Sequence, residues 1–202
     1  GTGYLHWQSL PDLPESLGVA GPFVGVHQDA LIIAGGANFP QPVWESEKQW
    51  LDKIWVLEKS PMPGKQSETS YQWINAGTLQ TPIAYGAAVS AKEGVICIGG
   101  CDSRQVFDGV FCLTWDPQTR SLTKKDLPSL PVPCAYTSAA KVGNTIYVAG
   151  GQAETGLDSA MKNFWSLDLS EEGTHDFRWK TLSSWPGTSR AFNLTVAQHN
   201  GV

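Results

Sequence analysis

The chain has 202 residues, 41% of them hydrophobic and 16% charged, with a formal net charge of -5. This is a globular composition, long enough for a real core, and its acidic balance argues against a nucleic-acid partner, which wants a basic face. No run of about 18 apolar residues is present to cross a membrane as a helix, and no basic or apolar run follows Gly1-Thr2-Gly3 to mark a signal peptide.

Gly (21) and Pro (13) are frequent, and Trp (9) is unusually so. Gly and Pro punctuate short strands and break helices, so the chain reads as all-β. In chain order, Val24-Gly25-Val26 predicts a strand that leads into a turn. His27-Gln-Asp-Ala-Leu-Ile-Ile-Ala-Gly-Gly36 then reads as a polar turn, an apolar strand and a Gly-Gly end. Gln41-Pro-Val-Trp-Glu-Ser-Glu-Lys-Gln-Trp50 is a long insertion in which Trp44 and Lys48 are spaced like one helical face. It reads either as a lid or as a rim loop packed on its own unit. Lys53-Ile-Trp-Val-Leu57 is a third strand, with an outer strand around Tyr71-Gln-Trp73.

The same set recurs twice. Tyr85-Gly-Ala-Ala-Val89 leads into Ala91-Lys-Glu-Gly-Val-Ile-Cys-Ile-Gly-Gly100, followed by Val110-Phe-Cys-Leu113 and Leu122-Thr123. Tyr136-Thr-Ser-Ala-Ala140 leads into Val142-Gly-Asn-Thr-Ile-Tyr-Val-Ala-Gly-Gly151, followed by Phe164-Trp-Ser-Leu167 and Arg178-Trp-Lys-Thr-Leu182. Arg190-Ala-Phe-Asn-Leu-Thr-Val-Ala-Gln198 looks like a further leading strand, with His199-Asn200-Gly201 as its turn and Val202 opening the next strand.

Four-stranded units of about 50 residues, each with a Gly-Gly strand end, are the pattern of Kelch propeller blades. Inner strands crowd around an axis, and Gly lets backbones approach closely. The aromatic of each third strand is expected to pack between neighbouring blades. The units fall at 18–83, 84–133 and 134–188, with a further blade starting at 189–202. The whole of 1–202 thus reads as a partial Kelch β-propeller of about three and a half blades, where propellers close with four to eight. Two open blade faces would invite self-association or association with further blades.

Several segments carry a closer likeness. Gly18-Val-Ala-Gly-Pro-Phe-Val-Gly25 with Ala30-Leu-Ile-Ile-Ala-Gly-Gly-Ala-Asn-Phe-Pro40 resembles the Kelch-type N-acetylneuraminate (sialic acid) mutarotase/epimerase family. Ala84-Tyr85-Gly86, Leu127-Pro-Ser-Leu-Pro-Val-Pro133 and Trp179-Lys-Thr-Leu-Ser-Ser-Trp-Pro-Gly-Thr-Ser-Arg190 follow in the order of that family's circularly permuted branch. The resemblance implies a six-bladed periplasmic or secreted protein that interconverts the anomers of sialic acid. It also implies that the catalytic pair lies beyond Val202, so no catalytic residue is placed on this sequence. A non-catalytic Kelch module binding a glycan or a protein is the alternative. A copper radical oxidase on the same scaffold is disfavoured, because His6, His27, His175 and His199 are scattered. No cofactor or metal is expected.

Mutarotation opens and recloses a sugar hemiketal, so acid and base groups must straddle the ring. The substrate carboxylate calls for a cation, and a guanidinium grips it bidentately. Arg104, past the second Gly-Gly, and Arg190, at the start of an inner strand, are the candidates; a surface role or a pairing with a neighbouring blade is the plainer reading of each. Asn38 and Phe39, after the first Gly-Gly, offer a hydroxyl partner and a stacking face, or turn chemistry and packing. Asp102 and Glu154, in the equivalent loops, are candidate bases or solvated loop carboxylates. Cys97 and Cys112 fall on adjacent strands, where a disulfide competes with buried free thiols. Asn193-Leu-Thr195 matches a glycosylation pattern but lies in an expected strand.

Overall fold

The structure is a computed structural model that describes Leu5 and residues 7–62 and 65–198. Three four-stranded antiparallel sheets follow one another along the chain. The first contains β1 (Phe23–His27), β2 (Ala30–Ala34), β5 (Lys53–Met62) and β6 (Lys65–Thr78). A two-stranded hairpin, β3 (Ala37–Asn38) and β4 (Gln49–Trp50), interrupts it after β2. The second contains β7 (Ala87–Ser90), β8 (Val95–Ile98), β9 (Val110–Asp116) and β10 (Ser121–Leu127). The third contains β11 (Ser138–Val142), β12 (Thr145–Ala149), β13 (Phe164–Asp168) and β14 (Lys180–Thr181). Each is a meander, and β1, β7 and β11 contact one another in succession as the inner strands. The sheets do not close into a ring. The turn expected at 199–201, the strand start at Val202 and His6 lie outside the described residues.

The β1–β2 turn shows why the meander is tight. Gln28 and Asp29 both take positive φ, +50° and +58°, the pair a two-residue type I′ hairpin requires. The Gly-Gly ends have a different cause. Gly99 has φ +59°, and a Cβ there would collide with the Cys134 carbonyl, which belongs to the segment leading into the next blade. Gly100 N–H then donates to that carbonyl at 2.8 Å. Equivalent bonds join Gly36 to Ile83 O and Gly151 to Arg190 O. Each Gly-Gly therefore clasps the chain that begins the following unit.

The core lies between sheets. Phe23, Ile32 and Val56 of the first sheet meet Val95, Cys97, Phe111, Leu113 and Trp115 of the second. Ile96, Ile98, Val110 and Cys112, on the second sheet's other face, meet Ile146, Val148, Trp165 and Leu167 of the third. A strand covered on both faces has no polar side, and all four residues of β8 are buried. By contrast, β1 alternates, leaving Val24 and Val26 about half exposed. In the second and third units the third-strand aromatics pack between blades as expected: Phe111 meets Phe23 edge-on at 5.7 Å, and Trp165 is buried against the second sheet. In the first unit Trp55 lies outside the inter-blade core, and its Nε1 donates to Glu15 at 3.0 Å.

Polar bonds staple the sheets as well. His27 Nδ1 accepts from the Trp115 backbone N–H at 3.1 Å, and its Nε2 donates to Lys92 O at 3.2 Å. Trp179 Nε1 donates to Pro128 O at 2.8 Å. Arg120 pairs with Glu58 at 2.7 Å, and Lys125 with Glu172.

Two open readings are resolved, the insertion as a rim segment on its own blade and the cysteines as buried free thiols, and one expectation, the leading strand at 190–198, is corrected. The insertion is not a helical face: only Val43–Glu45 form a single 3-10 turn, after Pro42, and Trp44 is 82% exposed. The segment instead returns as β4 and pairs with its own blade at Ala37↔Trp50 and Asn38↔Gln49. Cys97 and Cys112 are not a disulfide. Cys97 is registered with Phe111 and Cys112 with Ile96, a one-residue offset that turns the two side chains to opposite faces. Arg190–Gln198 does not pair as a leading strand; a single bridge at Gln198 is its only strand-like residue.

Candidate functional site

The loops after the three Gly-Gly pairs leave from the same end of the array as the segments that lead into β7 and β11. Asn38, Phe39, Asp102, Arg104, Glu154 and Arg190 therefore share one end of the blades. They differ in how they are held. Asn38 Nδ2 donates to Gly18 O at 3.3 Å, while its Oδ1 is buried without a partner among the described residues. Asp102 Oδ1 accepts the backbone N–H groups of Arg104 at 2.7 Å and Gln105 at 2.9 Å, which fixes the half-buried carboxylate. Arg104, Glu154 and Arg190 point to solvent. Arg190 is held through its backbone, donating to Met161 O at 2.9 Å and accepting from Gly151 N–H at 2.7 Å.

A second set of residues organises this end. Tyr85, Tyr136 and Phe192 each follow an alanine just before an inner strand or its equivalent. Each has positive φ, +60°, +51° and +57°. Their rings form a continuous arc, with centroids 4.8 Å apart for Tyr85–Tyr136 and 4.5 Å for Tyr136–Phe192. Trp50 closes one end, edge-on to Tyr85 at 5.8 Å. A backbone relay runs beneath: Tyr85 N–H donates to Gly21 O at 2.7 Å, Tyr136 N–H to Tyr85 O at 2.6 Å, and Phe192 N–H to Tyr136 O at 2.9 Å.

Lys48 reaches over this arc. Its Nζ lies 4.3 Å from the Tyr85 ring centroid, 5.0 Å from Trp50 and 5.8 Å from Phe39. Cys101 sits beside the arc. Burial pushes its thiol up; the Tyr136 hydroxyl and Lys48 work against that, and Asp102 adds to it. Burial, then Cys101, pushes the Tyr136 hydroxyl up to about 12. Lys48, Asp102 and Tyr136 thus converge on one thiol. The arrangement offers a stack of aromatic rings whose faces cover one another and whose edges line the mouth, a cation at one end and a fixed carboxylate nearby, a mixture suited to a charged, hydroxylated ligand.

Of the six residues expected from sequence, the structure brings Phe39 and Asp102 to this cluster, holds Asn38 against Gly18 O, and leaves Arg104, Glu154 and Arg190 solvated. Tyr85, Tyr136, Phe192 and Lys48 were not anticipated as site residues. The recurring Ala-aromatic pair at 84–85, 135–136 and 191–192 is the signal that marks the rings. Among the described residues, no group of three or more His, Cys, Asp or Glu is arranged to hold a metal, and no helix is long and apolar enough to cross a membrane.

Successive four-stranded meanders, stacked face to face and clasped by Gly-Gly strand ends, make this a Kelch-type β-propeller chain. The solved structure of YjhT shares the fold, with a TM-score of 0.61 and 16% identity over 90% of this chain and 56% of that one. A sequence model of the N-acetylneuraminate epimerase family matches residues 1–122, and the chain belongs to that family. The N-acetylneuraminate epimerase of Yersinia enterocolitica is 34% identical over 124 residues, covering 52% of this chain and 28% of that one. The Brucella suis protein of that description is 33% identical over 138 residues, covering 59% and 33%. The chain thus spans about a third or less of the curated relatives it matches.

Proposed function

We propose that this protein interconverts the anomers of N-acetylneuraminic acid by acid-base opening and closing of the ring. The observation that carries the reading is the family match over residues 1–122. That span contains Asn38, Phe39, Lys48, Tyr85, Asp102 and Arg104, the residues that build one side of the mouth. Opening the hemiketal takes a proton from the anomeric hydroxyl and gives one to the ring oxygen. Asp102 is a substrate-binding carboxylate in this reading: two backbone N–H groups hold its Oδ1 and set the orientation of the other oxygen, which is left to accept from a sugar hydroxyl. Arg104, on the same turn, contributes its backbone N–H to that carboxylate. An exported location, periplasmic or secreted, belongs to the same proposal and rests on the family resemblance; cell fractionation tests it.

The direct test is NMR exchange between the two anomers of N-acetylneuraminate, at a pH where spontaneous exchange is slow. Catalytic amounts of the protein are expected to speed the exchange, and Asp102→Asn to raise KM by about tenfold through the lost charged hydrogen bond to a sugar hydroxyl. A folded protein that leaves exchange unchanged would favour a glycan- or protein-binding module instead.

A further inference from the structure

We propose that Lys48 is the carboxylate anchor of this mouth, and that a carboxylated sugar ring lies along the edge of the Tyr85–Tyr136–Phe192 ring stack. The inference rests on the reading above that the ligand is a sugar acid, and it names the residues that would grip it. Arg104 and Arg190 were the cations expected from sequence for this role, but both side chains point to solvent.

The position of Lys48 is built. The pairing of Gln49 with Asn38 fixes the backbone next to it, and its ammonium is gathered among the rings of Tyr85, Trp50 and Phe39. Ring faces attract a cation, but they replace only part of its hydration and accept none of its N–H groups as strongly as a carboxylate does. The described ion pairs of Lys53, Arg120, Lys124, Lys125 and Lys180 each join a lysine or arginine to a carboxylate. Among the described residues, no carboxylate lies within that distance of Lys48. A half-buried ammonium on aromatic faces, in a chain of net charge -5, is a seat for an incoming anion.

The ring stack has its own argument. A left-handed backbone is costly for an aromatic residue, and glycine adopts it freely. The fold needs that conformation at four equivalent positions and uses glycine at the first, Gly21, with φ +61°. A Cβ at Gly21 would collide with the Tyr85 ring. At Tyr85, Tyr136 and Phe192 the chain keeps a ring despite the strain. Strain retained in register in successive blades points to a shared surface role. With Lys48 at one end and Asp102 nearby, the arc suits a ring that carries a carboxylate on one side and hydroxyls on the other.

The test is saturation-transfer NMR titration of the full-length protein with three probes: N-acetylneuraminate, its methyl ester and glucuronate. The wild-type protein is expected to bind N-acetylneuraminate about tenfold more tightly than the ester, which has lost the charge. Lys48→Met is expected to erase that gap while leaving the ester's affinity unchanged; Lys48→Arg is expected to keep most of it. The comparison of acid with ester on the wild-type protein needs no variant to fold. If Lys48→Met, folded by circular dichroism, keeps the gap, the anchor is elsewhere and the proposal is overturned, while the sugar-acid reading survives. If glucuronate binds with dependence on Lys48 and N-acetylneuraminate does not bind, the anchor stands and the sialic acid reading falls. If neither acid binds, the anchor is overturned.

Discussion

Burial pushes all four cysteine thiols upward, Cys134 to about 12. At pH 8 the thiolate fraction is therefore minute, and the thiolate is the reactive form. The native protein is expected to be inert to a small aromatic disulfide reagent over minutes, whereas the denatured chain should titrate four thiols. Rapid native reaction at Cys101 would contradict the closed packing beside Tyr136. That tyrosine gives a second prediction. Its hydroxyl is raised from an ordinary 10 to about 12 in the folded protein, so the fold holds a proton that the unfolded chain releases. Its contribution to stability is fully present below pH 10 and is lost as pH rises toward 12. Tyrosinate absorbance should show one residue lagging the rest, and Tyr136→Phe should abolish the lag. Asp102 is legible as a turn residue, because a short carboxylate two residues before a free N–H caps locally. The ring positions were read only as strand beginnings, since a left-handed aromatic has no residue-type signature. Asn193 also needed the third dimension: its Nδ2 donates to Ala149 O at 2.9 Å and Ser138 Oγ at 3.1 Å, which occupies the nitrogen a glycan would need.

Strands were the most legible elements. A polar turn, an apolar run and Gly-Gly recur in all three units, and the hydrophobic period reports which strands have one open face. The run Val95–Ile98 has no polar position because it feeds both cores. In the insertion the rim-loop reading held and the helical spacing of Trp44 and Lys48 did not. Pro40 and Pro42 bracket its start and remove backbone donors, and pairing β3 with β4 satisfies more of the backbone than one helical turn would. The inter-blade aromatics make the element-scale prediction. Phe111→Ala removes the ring that meets Phe23, and it should destabilise the protein by about 3–5 kcal/mol, with little local relaxation in a packed sheet-to-sheet core. Urea denaturation measures this; a loss of under about 1 kcal/mol would mean the two blades do not depend on that contact.

At the scale of the whole molecule, the two ends of the blade series are alike in being apolar. Val24 and Val26 face outward from the first sheet, and Leu194 and Val196 are 90% and 70% exposed beyond the third. Tyr147 and Phe164 stack on the third sheet at 5.8 Å. Exposed apolar faces of this kind drive association. The 202-residue chain on its own is expected to sediment above its 21.9 kDa monomer mass, increasingly so with concentration. The double variant Val24→Lys, Val26→Lys should shift it back toward monomer. A chain that stays monomeric at high concentration would show that these faces are not sticky enough to act alone.

The relay from Gly21 through Tyr85 and Tyr136 to Phe192 separates two jobs that most binding sites mix. Each of these backbones links to the next by an N–H and a carbonyl, like hands joined around a hoop, and no side chain takes part. The curvature of the mouth is therefore a property of the main chain, on which the side chains are mounted. A propeller built this way can exchange one side chain for another and change what it recognises, with the diameter of its opening held constant.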